Sequence, residues 1–451
     1  MADIVTYNPY YELKISSYRF NNDESIRQTI QNMQAAYSLW RIKPPEARIS
    51  YIESLVDILL TQKDALARLI ATEMGKPISQ ARKEIDKCIN MCEYYMDITT
   101  EVLVDESLDQ YQLTYQPTGV IFGVMPWNYP FWQVFRFLIP TILSGNVCLI
   151  KHSENVTGCA LAIKDLMKFT GLTDHIVEVV CCSNQQVHDI IRNPLVKGIS
   201  LTGGKEAGIA VAKTAAEVLK PCILELGGND GYYIHDDIKD IESVCKTLCE
   251  ARLENSGQSC ISPKRFIINK NIYKEFRETI LTQLAKTKVG NPLEEATQVG
   301  PIAREDLVKK LHQQIKKLEK LGAKIAFQGE IPKEGYFFPV TVLEIPGNIN
   351  LDEEIFGPVF CLYETKDQES AIKLINQSGY GLGAGIFMDD IGEAENIARL
   401  NIDTGMCGIN RCVRSTPEMP FGGVKDSGYG RELGVSGLIN FCNIKVIMHE
   451  E

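Results

Sequence analysis

The sequence predicts an α/β protein built on largely parallel, doubly wound sheets. Two observations carry that prediction. From residue 119 onward, short apolar runs bounded by glycine, proline and polar residues alternate with segments of helical period, as strands buried on both faces do. The chain also has 451 residues, more than one ordinary core accommodates, so two or three domains are expected.

In chain order, the first hundred residues read as helices. Asn22 or Asp23 can cap a segment with Ile26, Ile30, Met33, Tyr37 and Trp40 on one face, and Pro44 with Pro45 opens a second that runs to Gly75 and Pro77. Ile85, Ile89, Cys92 and Met96 mark a third. The polar, alternating stretch VDESLDQYQLTYQPT, residues 104–118, reads as an exposed ribbon. Strands follow at VIFGVM, NVCLI, IVEVV, KGISLT, PCILEL and GYYIH, and again at RFIIN, PVFCLY, GAGIFM and GMCGIN. Two α/β units meeting near residues 228–260 are the simplest division.

Lys plus Arg number 47 and Asp plus Glu 58, a formal charge of −11, and like charges are dispersed. That composition speaks against a nucleic-acid surface or a basic membrane patch. With no export-type start and no bilayer-length apolar run, a cytoplasmic protein is expected. The 14 cysteines are scattered, many inside apolar segments, which fits reduced thiols and not a disulfide framework. No CxxC pair occurs and the six histidines are isolated, so no metal is expected.

Four short stretches could carry chemistry. ENSGQSCISPKR sets Cys260 among small residues that let backbone amides approach a thiolate, although a thiol that merely fills space is the alternative. LELGGND places Glu225 at a strand end, where open parallel sheets bind ligands; a turn-capping carboxylate would look the same. PWNYP holds Asn128 between two prolines, able to donate to an oxyanion or simply to make a turn. SLTGGKEAG joins strand to helix through Gly203 and Gly204, a turn that can receive phosphate oxygens. In addition, Arg136 is the single charge in YPFWQVFRFLIPTIL, and it needs either an internal carboxylate or a ligand anion to answer it.

Together, MPWNYP, SLTGG, LELGGN, SGQSC, EEIFGPV and PFGGVKDSGYGRE, in this order from 125 to 432, resemble the aldehyde dehydrogenase superfamily. IKHSENV and PFWQVFRF look most like its succinate-semialdehyde dehydrogenase branch. The resemblance implies a Rossmann-like NAD-binding domain (1–103 and 119–227), an α/β catalytic domain (228–428) and a small β oligomerisation arm (104–118 and 429–451). It implies Cys260 as nucleophile, Glu225 as general base and Asn128 as oxyanion donor. It places Trp127, Lys151, Glu154, Gly203, Gly204, Glu354 and Phe356 at the cofactor, and Arg136 with Ser415 at the substrate carboxylate. Glu154 would accept hydrogen bonds from a free ribose 2′-hydroxyl and repel a 2′-phosphate, so NAD is expected in preference to NADP. The implied reaction is oxidation of succinate semialdehyde to succinate, with another aldehyde such as glutarate semialdehyde, or a non-catalytic member, as alternatives. The implied assembly is a homodimer or homotetramer. Two departures stand out: Glu254 lies where some relatives have a second arginine, and Ser262 where a redox-switched form has a second cysteine.

Overall fold

The computed structural model describes residues 3–108, 110–349 and 351–448. Its first sheet has six strands in the order Gly428–Tyr429, Cys222–Glu225, Val196–Thr202, Val120–Met125, Val147–His152 and Val177–Val179. The second has seven, in the order Lys324–Gln328, Thr341–Glu344, Val359–Thr365, Arg265–Asn269, Gly231–Ile234, Gly383–Phe387 and Met406–Ile409. Neighbours run parallel except at one edge of each sheet, where Gly428–Tyr429 and Lys324–Gln328 are antiparallel. Every apolar run expected to be a strand is one. Their near-continuous hydrophobicity follows from cover on both faces: Arg265–Asn269 is buried along its whole length.

Helices Asp23–Trp40, Pro45–Met74 and Ile78–Val102 pack into the core of the first sheet. Asn22 caps the first of them, its Oδ1 accepting the Ser25 amide at 2.7 Å. The second ends at Gly75 with φ 81°, where a Cβ would lie 2.9 Å from the Pro301 carbonyl oxygen, so only glycine fits the turn.

Three features correct the sequence reading. Asp3–Asn8 and Leu13–Arg19 form an antiparallel hairpin where only helices were expected, and the second strand is mostly exposed, without a core-facing stripe to betray it. Lys324–Gln328 and Thr341–Glu344 were not anticipated as strands. The expected arm from 429 is divided: Leu433, Leu438 and Phe441 are buried in the first core, and only Cys442–Met448 joins the ribbon, pairing with Tyr111–Pro117, which in turn pairs with Glu106–Leu108. The arm's last residues, 449–451, lie outside the described residues.

Among the described residues no helix is long and apolar enough to cross a membrane, and no group of three or more His, Cys, Asp or Glu is placed to hold a metal. All fourteen cysteines are free.

The strand Val147–His152 ends on a histidine that ties two loops together. The His152 Nδ1 accepts the Ser153 amide at 2.8 Å, so Nε2 carries the proton and donates to the Pro130 carbonyl at 2.9 Å. Burial, chiefly, lowers its pKa from 6.5 to about 4. The folded protein therefore keeps this ring neutral while the unfolded chain takes up a proton, and stability falls as pH drops from 6.5 toward 4. By about pH 5 the loss from this residue is roughly 2 kcal/mol. Thermal unfolding of the parent should therefore weaken more between about pH 7 and pH 5 than that of His152→Gln; parallel losses would contradict the assignment.

Candidate functional site

The sheet topology explains how residues far apart in sequence converge. Met125 is in register with His152, and Thr202 with Glu225, on neighbouring strands of the first sheet. Asn128, Glu154, Gly203 and Glu225 thus all stand at or just beyond carboxyl ends of one sheet, where parallel α/β folds open their crevice. Cys260 and Glu354 come from the opposite direction, on loops entering Arg265–Asn269 and Val359–Thr365, which are adjacent in the second sheet. Hydrogen bonds close the gap between the sheets: Asn128 Nδ2 donates to the Gln258 carbonyl at 3.0 Å, and the Gly228 amide to Glu354 Oε1 at 3.1 Å.

The Cys260 thiol is half-buried at the end of an unusual turn. Asn255, Ser256 and Gly257 take φ of 52°, 57° and 74°, three successive left-handed residues. Gly257 must be glycine because a Cβ would sit 2.3 Å from the Gly357 carbonyl oxygen. Burial pushes the thiol up to about 12, opposed first by Arg136 and then by Lys264.

Glu225 is buried, and neither carboxylate oxygen has a hydrogen-bond partner among the described residues. Desolvation raises its pKa well above the ordinary carboxylate range, with Arg136 again the main opposing charge and Glu432 adding to the rise. The Oδ1 of Asn128 and the Oγ of Ser415 are likewise buried without a partner.

Arg136, on helix Trp132–Leu143, has an internal partner. Its Nε pairs with Glu432 Oε2, its Nη2 donates to Thr202 Oγ1 at 3.3 Å, and the guanidinium lies 4.5 Å from the centre of the Phe421 ring. Of the two answers open in the sequence, an internal carboxylate is therefore present.

The residues expected at the cofactor fall into three places. Lys151 and Glu154 line a cleft together with Ile4, Thr157, Cys181 and Cys182. Gly203 and Gly204 lead into helix Lys205–Glu217, whose first turn has no side-chain cap, leaving its amides for an anion. Trp127 and Phe356 meet edge to face at 5.7 Å, beside Glu354 in sequence. Glu354, Glu154 and the uncapped helix start are the groups a dinucleotide's ribose hydroxyls and phosphates require, so the residues present fit it.

Residues 2–447 match the Aldehyde dehydrogenase family. The chain belongs to this family. It is 36% identical over 450 residues to succinate semialdehyde dehydrogenase (NAD(P)+) Sad of Escherichia coli, covering 98% of this chain and 97% of that protein. It is 34% identical to a probable succinate-semialdehyde dehydrogenase (NADP(+)) of Synechocystis, over 98% and 99% of the two chains. Among solved structures, it matches the succinic semialdehyde dehydrogenase of Streptococcus pyogenes in complex with NADP+ with a TM-score of 0.95 and 32% identity, covering 99% of this chain and all of that one. This aldehyde dehydrogenase therefore acts on a small aldehyde with a pyridine nucleotide.

Four charged residues of the site escaped the sequence reading. Lys264 reaches the carbonyls of Ser259, Cys260 and Ser262 at 3.1, 2.7 and 3.2 Å and Glu354 Oε1 at 3.3 Å, so one ammonium joins the loop of Cys260 to the loop of Glu354. Arg252 does the same from below, donating to the Ile355 and Val359 carbonyls and to Ser262 Oγ. Glu432 holds Arg136 and accepts from Ser200. Lys87 lies 3.9 Å from the centre of the Trp132 ring with no carboxylate partner among the described residues, and burial lowers it to about 8. The one available signal was position, and only for Lys264, which leads directly into the buried run Arg265–Asn269.

The high thiol pKa has a direct consequence in the nucleotide-free protein. Alkylation of Cys260 by iodoacetamide, followed on its own peptide by mass spectrometry, should rise about tenfold per pH unit from about pH 7 to 9. It should be slower throughout in Arg136→Met; a plateau below pH 8 would contradict the assignment.

Proposed function

We propose that this aldehyde dehydrogenase oxidises a short semialdehyde bearing a distal carboxylate, succinate semialdehyde before others, to the diacid, with NAD preferred to NADP. The observation that carries the reading is a half-buried thiol whose loop is tied through the Gln258 carbonyl to Asn128, together with a buried Glu225 whose carboxylate oxygens have no hydrogen-bond partner among the described residues.

In this reading the Cys260 thiolate adds to the aldehyde carbon, forming a C–S bond, and the carbonyl oxygen becomes an oxyanion. Asn128 Nδ2 and the Cys260 backbone amide stabilise that oxygen as its charge develops. A bound nicotinamide would supply the hydride acceptor for the adduct carbon, and Cys260 then holds the acyl group as a thioester. Glu225 then removes a proton from water; the water oxygen bonds to the acyl carbon, the C–S bond breaks and the thiolate is restored. A carboxylate with raised pKa and no hydrogen-bond donor occupying its lone pairs is suited to that proton transfer. Cofactor roles go to Glu354 and Glu154 on the two riboses, Lys151 beside the second, the Gly203–Gly204 turn at the phosphates, and Trp127 with Phe356 around the nicotinamide end.

Two observations support a carboxylated substrate. Ser415 has a buried hydroxyl without a partner among the described residues, and Lys87 is a further desolvated cation near Arg136, whose own charge Glu432 already answers. The relatives' names point the same way. For the nucleotide, Glu154 favours a free 2′-hydroxyl, against the NADP(+) in those names. The exposed Tyr111, Ile444 and Val446 of the ribbon support its pairing between subunits, as a dimer or tetramer.

The reading is tested by kcat/KM for succinate semialdehyde, glutarate semialdehyde and butanal with each nucleotide. Succinate semialdehyde should exceed butanal by at least about tenfold, as removal of a carboxylate from a built anion site implies, and NAD should exceed NADP, with Glu154→Gln narrowing that gap. Equal rates for butanal would remove the carboxylate reading, and higher values with NADP the nucleotide reading.

A further inference from the structure

One face of helix Ile78–Val102 touches both loops of the reaction centre. Gln80 and Glu84, four residues apart, project from the same side. Gln80 Oε1 accepts the Asn255 amide at 2.7 Å, holding the left-handed turn that leads to Cys260. The Asn255 side chain passes this on, donating to the Asn128 carbonyl at 2.7 Å and the Gln258 carbonyl at 3.2 Å. One turn further along, Glu84 Oε1 accepts the amides of Phe131 and Trp132 at 2.8 and 3.1 Å, capping the helix that follows the Asn128 turn.

The other oxygen of Glu84 pairs with Lys76, and both side chains are shut off from solvent. The same Lys76 ammonium sits 3.6 Å from the centre of the ring of Tyr129, the residue after Asn128, and the Tyr129 hydroxyl donates to Glu254 at 3.2 Å. A buried ion pair is a poor way to gain stability, because desolvation offsets most of the attraction. It is a good way to fix an angle: the carboxylate has one geometry that satisfies two amides and an ammonium at once.

We infer that Lys76 and Glu84 are positioning residues for the Asn128 amide, and that with Gln80 they make this helix a common template for the oxyanion donor and the nucleophile. The inference rests on Asn128 serving the oxyanion. Loosening the template lets the amide drift from the place where charge develops, which lowers the rate of the chemical step and leaves ground-state binding alone.

The test is Lys76→Met with Glu84→Gln, which removes both charges together and leaves no uncompensated ion in the core. It is measured in parent and Asn128→Ala backgrounds, beside Gln80→Met, whose half-buried contact is simpler to lose. The expected result is a kcat lowered by about tenfold or more, a share of what one oxyanion donor contributes, with KM for aldehyde and nucleotide within about twofold. In the Asn128→Ala background the same changes should cost less than about twofold more, the mark of a shared pathway. Gln80→Met should show the same pattern with a smaller loss, and it carries the test if the double variant does not fold. Folded variants with unchanged kcat, or a full additional loss in the Asn128→Ala background, would overturn the inference. Full kcat in Asn128→Ala alone would overturn the oxyanion reading beneath it.

Discussion

Desolvation without compensation is the constraint on which this site depends. Glu225 ends a strand of the first sheet where the chain crosses to the second, and its carboxylate finds no donor there. In water such a group would be ionised; buried, it holds a proton more tightly. The Cys260 thiol is subject to the same pressure, and Arg136 is the leading opposing charge for both. One guanidinium, anchored on Glu432, thereby opposes the rise at the thiol and at the carboxylate together.

Much of the surrounding polar network is bonded. Lys264 and Arg252 donate to carbonyls of the Cys260 and Glu354 loops, and Glu84 and Gln80 brace the Asn128 and Cys260 loops from the helical side. Three left-handed residues in a row, at about 1–3 kcal/mol for each of the two that are not glycine, persist because Asn255 is bonded through both backbone amide and side chain.

Much of this was legible in the sequence, and the reasons for success and failure are physical. Strands buried on both faces announce themselves as unbroken apolar runs, so all ten expected ones appear. The N-terminal hairpin, TYNPYYELK and its flanks, is mostly exposed and has no such stripe. Glu225, Cys260 and Asn128 were singled out because short motifs surround them. Lys76, Glu84, Gln80 and Glu432 were not, because their partners lie 47 to 296 residues away or, for Lys76 and Glu84, look in sequence like an ordinary charged helix face. Arg136 was recognised as a charge needing an answer, but which answer depended on Glu432, a contact across 296 residues.

The most direct measurement is rapid-mixing kinetics of Glu225→Gln with succinate semialdehyde and NAD, with mass analysis of the quenched protein. If Glu225 frees an acyl group held on Cys260, reduced nucleotide should appear in a burst of about one equivalent per site and then nearly stop, with the added acyl mass on the peptide that carries Cys260. Undiminished steady turnover with no acyl adduct, or an adduct on another residue, would contradict it.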